Sequence, residues 1–261
     1  MWKLNLNSVW IRDIVWPGTH DSATVKMGIP LLTRPLAWCQ ECSIYNQLVR
    51  GTRVLDIWVE APHRVFHEVL KSYKVDLVIR DIKRFLSETK SEFLTVEVRT
   101  EYGHQDPTEM EKWLTEQLGD YLIDQDNHVF DKTLAELLPK RVIFLWKPET
   151  KGIFLELGYP LWSSAYLKSD LIDIDLPLTK FKSNLSHLGS HPPVLSREYF
   201  YSVVCVKPVS NRIIGYARLF ISQMFKKGHG DRLQILSCDF IDGDFIHAFI
   251  GITRARIEGR A

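Results

Sequence analysis

The sequence has little of several things, and each shortage excludes a class of protein. Its four cysteines, Cys39, Cys42, Cys205 and Cys238, are too few to staple a chain of 261 residues, so reduced thiols and an intracellular compartment are expected. No stretch approaches the roughly 18 apolar residues needed to cross a bilayer. The start, MWKLNLNSVWIRDIVW, has no sustained apolar run ending in a small-residue cleavage site. A cytoplasmic or peripheral-membrane location is therefore expected. Excess charge is missing too: 33 Lys+Arg face 32 Asp+Glu, a net +1, without the broad basic field of a nucleic-acid binder. No repeat, low-complexity tract or Pro/Gly/Ser-rich linker marks a boundary, so one domain over residues 1–261 is expected. With 45% hydrophobic and 25% charged residues, disorder, collagen and coiled coil are excluded, and a local site must carry function.

What is present is alternation. Short β-branched runs, at 10–15, 53–59, 64–66, 93–99, 141–146, 171–174, 201–206 and 233–237, alternate with segments of helical spacing. Those segments lie at 43–49, 75–88, 108–118, 180–188, 211–227 and 242–250. Gly51, Gly119 and Gly228 read as left-handed helix ends. The pattern predicts an α/β protein, a single irregular (β/α)8 barrel of the TIM type, with a doubly wound open sheet as the alternative.

In such a barrel the site lies at the C-terminal ends of the strands. Polar residues gather there: Pro17-Gly18-Thr19-His20-Asp21-Ser22 after the first run, Asp56 in the second, His67 after the third. Arg99 and Glu101 end the fourth, Lys147 the fifth and Asp239 the last. Two histidines with carboxylates and cations suit phosphodiester chemistry, one imidazole removing a proton and the other protonating the leaving oxygen. Other features read as structural. Cys39 and Cys42 have redox spacing but follow a Pro-containing loop; His104, His128, His187, His191 and His229 read as solvated, while His63, in the hairpin of His67, and His247, after the Asp239 segment, are left out of the site. Phe220, Met224 and Phe225 before Lys226-Lys227 read as an inward-packing helix with a basic end, while Trp162 and Tyr166 are candidate rim aromatics.

The run Trp16-Pro17-Gly18-Thr19-His20-Asp21-Ser22, then Gly51-Thr52-Arg53-Val54-Leu55-Asp56-Ile57 and a following His, resembles the X domain of phosphatidylinositol-specific phospholipase C. Arg99-Thr100-Glu101-Tyr102-Gly103-His104 and Asp239-Phe240-Ile241-Asp242-Gly243-Asp244-Phe245 look like the plant group of X-domain phosphodiesterases. The resemblance implies a distorted TIM-type barrel that cleaves an inositol phospholipid by attack of the inositol 2-hydroxyl, giving a 1,2-cyclic phosphate. It implies His20 as general base, Asp239 as the group holding its tautomer, and His67 as general acid assisted by Asp21. It further implies Asp56, Arg99, Glu101 and Lys147 as substrate-binding residues. The partner implied is a phospholipid or other phosphodiester, with peripheral membrane contact and no nucleic acid.

Two positions depart from the family pattern. Trp58 stands where family members carry a phosphate-facing Arg or a calcium-binding carboxylate, and Glu68 follows the acid His where Gly is common. No metal ligand set is expected, since Asp56 and Glu60 are a thin shell for calcium, which takes about six to eight oxygens. The expectation is that no cofactor is required, with calcium as the weakly supported alternative. Trp58 also motivates the alternative of a weak or inactive barrel that binds phosphoinositide headgroups or a partner protein. A glycerophosphodiester phosphodiesterase, with a similar barrel and a metal, is the third reading.

Overall fold

A computed structural model describes residues 5–25, 38–67, 70–149, 159–170, 172–190, 196–203, 207–226 and 231–259. The side chains of residues 67, 70–72, 170, 189–190, 196 and 225–226 lie outside that description. The strands are β1 (Trp16–Thr19), β2 (Val54–Glu60), β3 (Arg64–His67), β4 (Leu70–Lys74), β5 (Leu94–Thr100), β6 (Val142–Lys147), β7 (Trp162–Ser163), β8 (Lys168–Asp170), β9 (Ser196–Phe200) and β10 (Ile235–Cys238). The helices are α1 (Ile44–Arg50), α2 (Val75–Glu88), α3 (Met110–Leu118), α4 (Leu134–Leu137), α5 (Pro177–Ser190), α6 (Lys207–Lys226) and α7 (Gly243–Ile257).

The main sheet runs β7-β6-β5-β2-β1-β10-β9-β8, parallel throughout, and β3 and β4 form an antiparallel excursion off β2. Apart from that excursion, neighbours in the sheet are neighbours in sequence, and the first strand pairs with the last: Trp16 lies opposite Ile235. This is the strand order of a (β/α)8 barrel. Among the described residues no ladder joins β7 to β8, which are linked by one 3-10 turn, Ser164–Tyr166, so the expected irregularity falls there.

Alternation along each strand sorts the residues. Leu55, Ile57, Val59, Leu94, Val96 and Val98 pack outward against Ile44, Val78, Ile82 and Phe85 of α1 and α2. Phe200, Leu236 and Cys238 do the same against α6 and α7 through Ile213, Phe220, Met224, Phe249 and Ile252. Each such side chain contributes about 1.5–3 kcal/mol by burial. The intervening residues Asp56, Trp58, Glu97, Arg99, Arg197 and Tyr199 are left to fill the barrel interior.

Several sequence expectations are corrected. Residues 10–15 do not form the first strand: Ile11–Asp13 is a 3-10 turn, and Ile11 and Ile14 pack in one apolar cluster with Phe93, Leu134 and Ile143. The strand lies instead in the Pro-Gly segment, because a Cβ on Gly18 would sit 2.2 Å from Ser237 Oγ, and only glycine lets β1 and β10 approach so closely. The third run, 64–66, belongs to the hairpin rather than to the barrel wall. Strand β8 precedes the expected 171–174 and β9 precedes 201–206, while residues 171 and 204–206 lie outside the description. Gly51 does cap α1 with φ +122°, whereas Gly119 is right-handed and opens a 3-10 turn; Gly228 lies outside the description. Trp162 is fully buried in β7, its indole N–H bonded to the Ile123 carbonyl, and is no rim aromatic. His187 is not solvated either, since its Nδ1 pairs with Glu198 at 2.9 Å. Phe220 and Met224 are buried as expected. No described helix is long and apolar enough to cross a membrane.

Candidate active site

The C-terminal ends of β1 and β10 lie side by side and present His20 and Asp239. The backbone holds the turn tightly: the His20 N–H donates to the Cys238 carbonyl at 3.1 Å, and Ser22 N–H to the Asp56 carbonyl at 2.8 Å. Ser22 Oγ accepts from the Asp56 N–H at 2.8 Å, stitching the turn to β2, and Gln40 Nε2 donates to the His20 and Cys238 carbonyls. Asp21 and Phe240, each beside one of the paired residues, have φ of 44° and 45°, a left-handed backbone uncommon outside glycine and typical of constrained sites.

His20 Nδ1 lies 3.0 Å from Asp239 Oδ1, and Nε2 lies 3.5 Å from Asp21 Oδ2. The second oxygen of Asp239 accepts from Ser202 N–H at 2.8 Å and Ser210 Oγ at 3.0 Å, so the carboxylate cannot rotate away. Burial works to lower the imidazole pKa. Asp21, then Asp239 by hydrogen bond and charge, and Asp56 outweigh it, and the group is raised from 6.5 to about 9. Tyr201 covers the imidazole, its ring 4.3 Å from that of His20. The Tyr201 hydroxyl donates to Asp173, Lys180 Nζ sits 3.5 Å over the Tyr201 ring, and Val203 N–H donates to Asp175 at 2.8 Å. Loop residues 172–175 thus hold residues 201–203 down, and His20 is only 5% exposed.

Below this lies a fully buried ionic cluster from β2, β5 and β9. Glu97 bridges two guanidiniums: Arg99 Nη2 donates to its Oε1, and Arg197 Nη1 lies 2.8 Å from its Oε2. Asp56 Oδ1 is 3.6 Å from Arg99 Nε and 4.0 Å from Arg197 Nη1, while its Oδ2 accepts from the Tyr199 hydroxyl at 3.2 Å. Burial pushes the Asp56 carboxyl up despite the two guanidiniums. For Glu97 burial acts the same way, but Arg99 and Arg197 prevail and hold it down to about 2. Trp58 and Arg99 are direct partners in the β2–β5 register, and the guanidinium lies 4.6 Å over the indole.

The structure therefore brings together His20, Asp21, Asp56, Arg99 and Asp239. Lys147, opposite Arg99 in the β5–β6 register, is exposed at its strand end, where partial burial and Arg99 lower its ammonium pKa. Glu101 follows β5 by one residue, its N–H bonded to the Val59 carbonyl. His67 ends β3, and its side chain lies outside the description, as does Glu68. Arg53 is at the opposite end of β2, bound to Glu92 at 2.6 Å. Glu97, Arg197, Tyr199 and Tyr201 were not anticipated from sequence; the polar alternation of Thr95, Glu97 and Arg99 between Leu94, Val96 and Val98 is the signal that places Glu97 inside.

A calcium ion does not fit these residues. Asp56 faces two guanidiniums and Tyr199, and Glu60 Oε2 pairs with His104 at 3.1 Å, so both carboxylates already face cationic or donor groups that a calcium ion would have to displace. His20, Cys39 and Asp239 have ligand atoms within 4.8 Å of one another. His20 and Asp239 are joined there by their own hydrogen bond, Ser202 and Ser210 engage the second Asp239 oxygen, and Cys39 Sγ lies 3.7 Å from Asp21 Oδ2.

The chain is 29% identical over 147 residues to a PI-PLC X-box domain-containing protein of Dictyostelium discoideum, covering 50% of this chain and 17% of the relative. It is 30% identical over 92 residues to a 1-phosphatidylinositol phosphodiesterase of Listeria monocytogenes, covering 34% of this chain and 29% of that protein. The chain thus spans less than a third of either curated relative. These relatives, an amoebal and a bacterial protein, lend no support to the plant group in particular. The phosphatidylinositol-specific phospholipase C structure from Listeria monocytogenes superimposes with a TM-score of 0.78 at 20% identity, over 97% of each chain. A Staphylococcus aureus phosphatidylinositol-specific phospholipase C gives 0.65 at 16% identity, over 96% of this chain and 95% of that one. These likenesses share the barrel fold. Residues 15–147 match the family described as phosphatidylinositol-specific phospholipase C, X domain, and the chain belongs to that family.

Proposed function

We propose that the protein is a phosphoric diester hydrolase that cleaves a phosphoinositide-type phosphodiester by general acid–base catalysis. The observation that carries this reading is the buried His20–Asp239 pair at the mouth, with Asp21 on the other imidazole nitrogen. Asp239 keeps the proton on Nδ1, so Nε2 takes the proton of the inositol 2-hydroxyl. The freed oxygen attacks phosphorus, the bond to the glycerol oxygen breaks, and His67 supplies that oxygen's proton. The products are a 1,2-cyclic inositol phosphate and diacylglycerol. Arg99, backed by Trp58, supplies cationic charge near the phosphate, and Asp56, Glu101 and Lys147 complete the headgroup contacts.

Release of cyclic inositol phosphate from phosphatidylinositol vesicles tests the reaction. Product from the wild type and none from folded His20→Ala is expected; equal product from both would overturn it. Trp58 favours a second reading, a barrel that binds headgroups without turning them over. Vesicle binding by the wild type, with no cyclic product at any pH, would establish that reading.

A further inference from the structure

Cys39 reaches the candidate active site from the segment ahead of α1, and the proposed reaction gives it no task. It is fully buried, and its backbone is held from two sides: its N–H donates to Thr24 Oγ1 at 3.1 Å, and its carbonyl accepts from the Phe240 N–H at 2.9 Å. Thr24 Oγ1 donates in turn to the Asp21 carbonyl at 2.9 Å. The thiol is thereby fixed between the turn after β1 and the turn after β10. A buried cysteine that only packs behaves as a small hydrophobe. The sulfur of Cys39 has polar company: Asp21 Oδ2 lies 3.7 Å away, and the sulfur, a ring nitrogen of His20 and a carboxylate oxygen of Asp239 lie within 4.8 Å of one another.

Imidazole, thiolate and carboxylate together suit one class of ligand. Tetrahedral zinc binds nitrogen and oxygen at about 2.0–2.2 Å and sulfur at about 2.3 Å, so neighbouring donors stand about 3.3–3.7 Å apart. Asp21 Oδ2 already has that spacing, 3.7 Å from the sulfur and 3.5 Å from His20 Nε2. The spacings among the other three donors need to close by about 1 Å at most. Calcium and magnesium prefer shells of oxygen, and a sulfur and a nitrogen among four donors select against them. His20 and Asp21 are each 5% exposed, which leaves an ion a way in. Either imidazole nitrogen leads to the same result. A cation on Nε2 occupies the base itself, and one on Nδ1 replaces the proton that Asp239 holds there.

We propose that His20, Cys39 and Asp239, with Asp21 as the fourth donor, form an inhibitory site for a zinc-class divalent cation. Binding displaces the thiol proton of Cys39 to solvent and leaves a thiolate–metal bond. The inhibition rests on the proposed reaction; the metal chemistry does not.

The whole chain, reduced and stripped of metal, is titrated with Zn²⁺ by calorimetry and with Co²⁺ by absorption, where a thiolate-to-cobalt charge-transfer band reports the sulfur. Wild type is compared with Cys39→Ser, which keeps the volume and loses the thiolate, and with Cys42→Ser, which removes the nearby, partly exposed thiol. The wild type is expected to bind Zn²⁺ and show the cobalt band. Release of cyclic product from vesicles should fall about 100-fold once Zn²⁺ saturates, as for loss of the base, and Mg²⁺ should leave it unchanged. Cys39→Ser should weaken Zn²⁺ binding about 100-fold, abolish the band and lose the inhibition at the Zn²⁺ concentration that silences the wild type. Cys42→Ser should retain all three. A band that survives in Cys39→Ser, or vanishes in Cys42→Ser, would overturn the site. Should Cys39→Ser fail to fold by circular dichroism, undiminished Zn²⁺ affinity in His20→Ala would do so. Zinc bound with the band present and turnover unchanged would overturn the inhibition. No cyclic product from the metal-free wild type sinks the reaction alone, because the cobalt band reads the site without catalysis.

Discussion

At the β1–β10 end, both oxygens of Asp239 are used, by His20, Ser202 and Ser210, and the imidazole they orient has a carboxylate on each nitrogen. On the β2–β5–β9 floor the charges are as deeply buried, yet Arg99 Nε, two nitrogens of Arg197 and one oxygen of Asp56 have no hydrogen-bond partner among the described residues. The first region is a finished hydrogen-bonded unit. The second is held tightly only through Glu97, which Arg197 meets at 2.8 Å, while Asp56 stands 3.6 and 4.0 Å from the two guanidiniums. Saturated groups fix a reacting atom in place; unsaturated ones leave contacts to be made by what binds.

The sharpest way to break the contrast is His20→Ala. Removing a positioned general base is expected to lower turnover by about 10²–10⁴-fold while leaving the fold intact, read as cyclic product from vesicles. A drop below tenfold would place the base elsewhere. On the floor, Glu97→Leu leaves two guanidiniums with half their counter-charge. Breaking a buried network this way costs about 3–5 kcal/mol, measured by urea unfolding. A cost under about 1 kcal/mol would show that solvent reaches the cluster.

Asp239→Asn tests the finished side through pH. The folded His20 pKa of about 9 lies above its ordinary 6.5, so protonated His20 contributes stability that is fully present below pH 6.5 and lost as pH rises through 9. The neutral base behaves oppositely, and kcat/KM is expected to climb with pH toward about 9. In Asp239→Asn both profiles should move toward 6.5, with a fall in rate from the freed tautomer. Profiles that stay put would assign the shift to Asp21. The smallest effect is expected from Trp58→Leu, which removes the face under Arg99 and should cost about 0.5–2 kcal/mol in urea unfolding. A gain in stability would mean that the stacking is incidental.

The strand ends made half of this legible. His20, Asp21, Asp56 and Asp239 follow or interrupt apolar runs, where a barrel places its chemistry, and the structure brings them together. The floor was harder to read because its charges sit inside strands: Glu97 looked like part of a buried run, and Arg197 was placed ahead of the expected strand. Period-two alternation in both segments carries the information, but a run with one face inward and the other against helices resembles a uniformly buried one. The Pro-Gly of β1 misled for a different reason. Its glycine serves a close approach to Ser237 that only the neighbouring strand reveals.

The unpaired margin between β7 and β8 has a consequence for how the molecule breathes. Among the described residues strand β8 pairs with β9 alone, and it precedes the loop whose Asp173 and Asp175 pin residues 201–203 over His20. Sub-global openings begin where backbone bonds are fewest. This sparsely paired edge is therefore tied to the cover of the imidazole, and one local fluctuation would both loosen the wall and uncover His20. Hydrogen exchange at Ser169 and Asp173 should accordingly outpace exchange at Leu55 and Val96; equal protection would separate access from this edge.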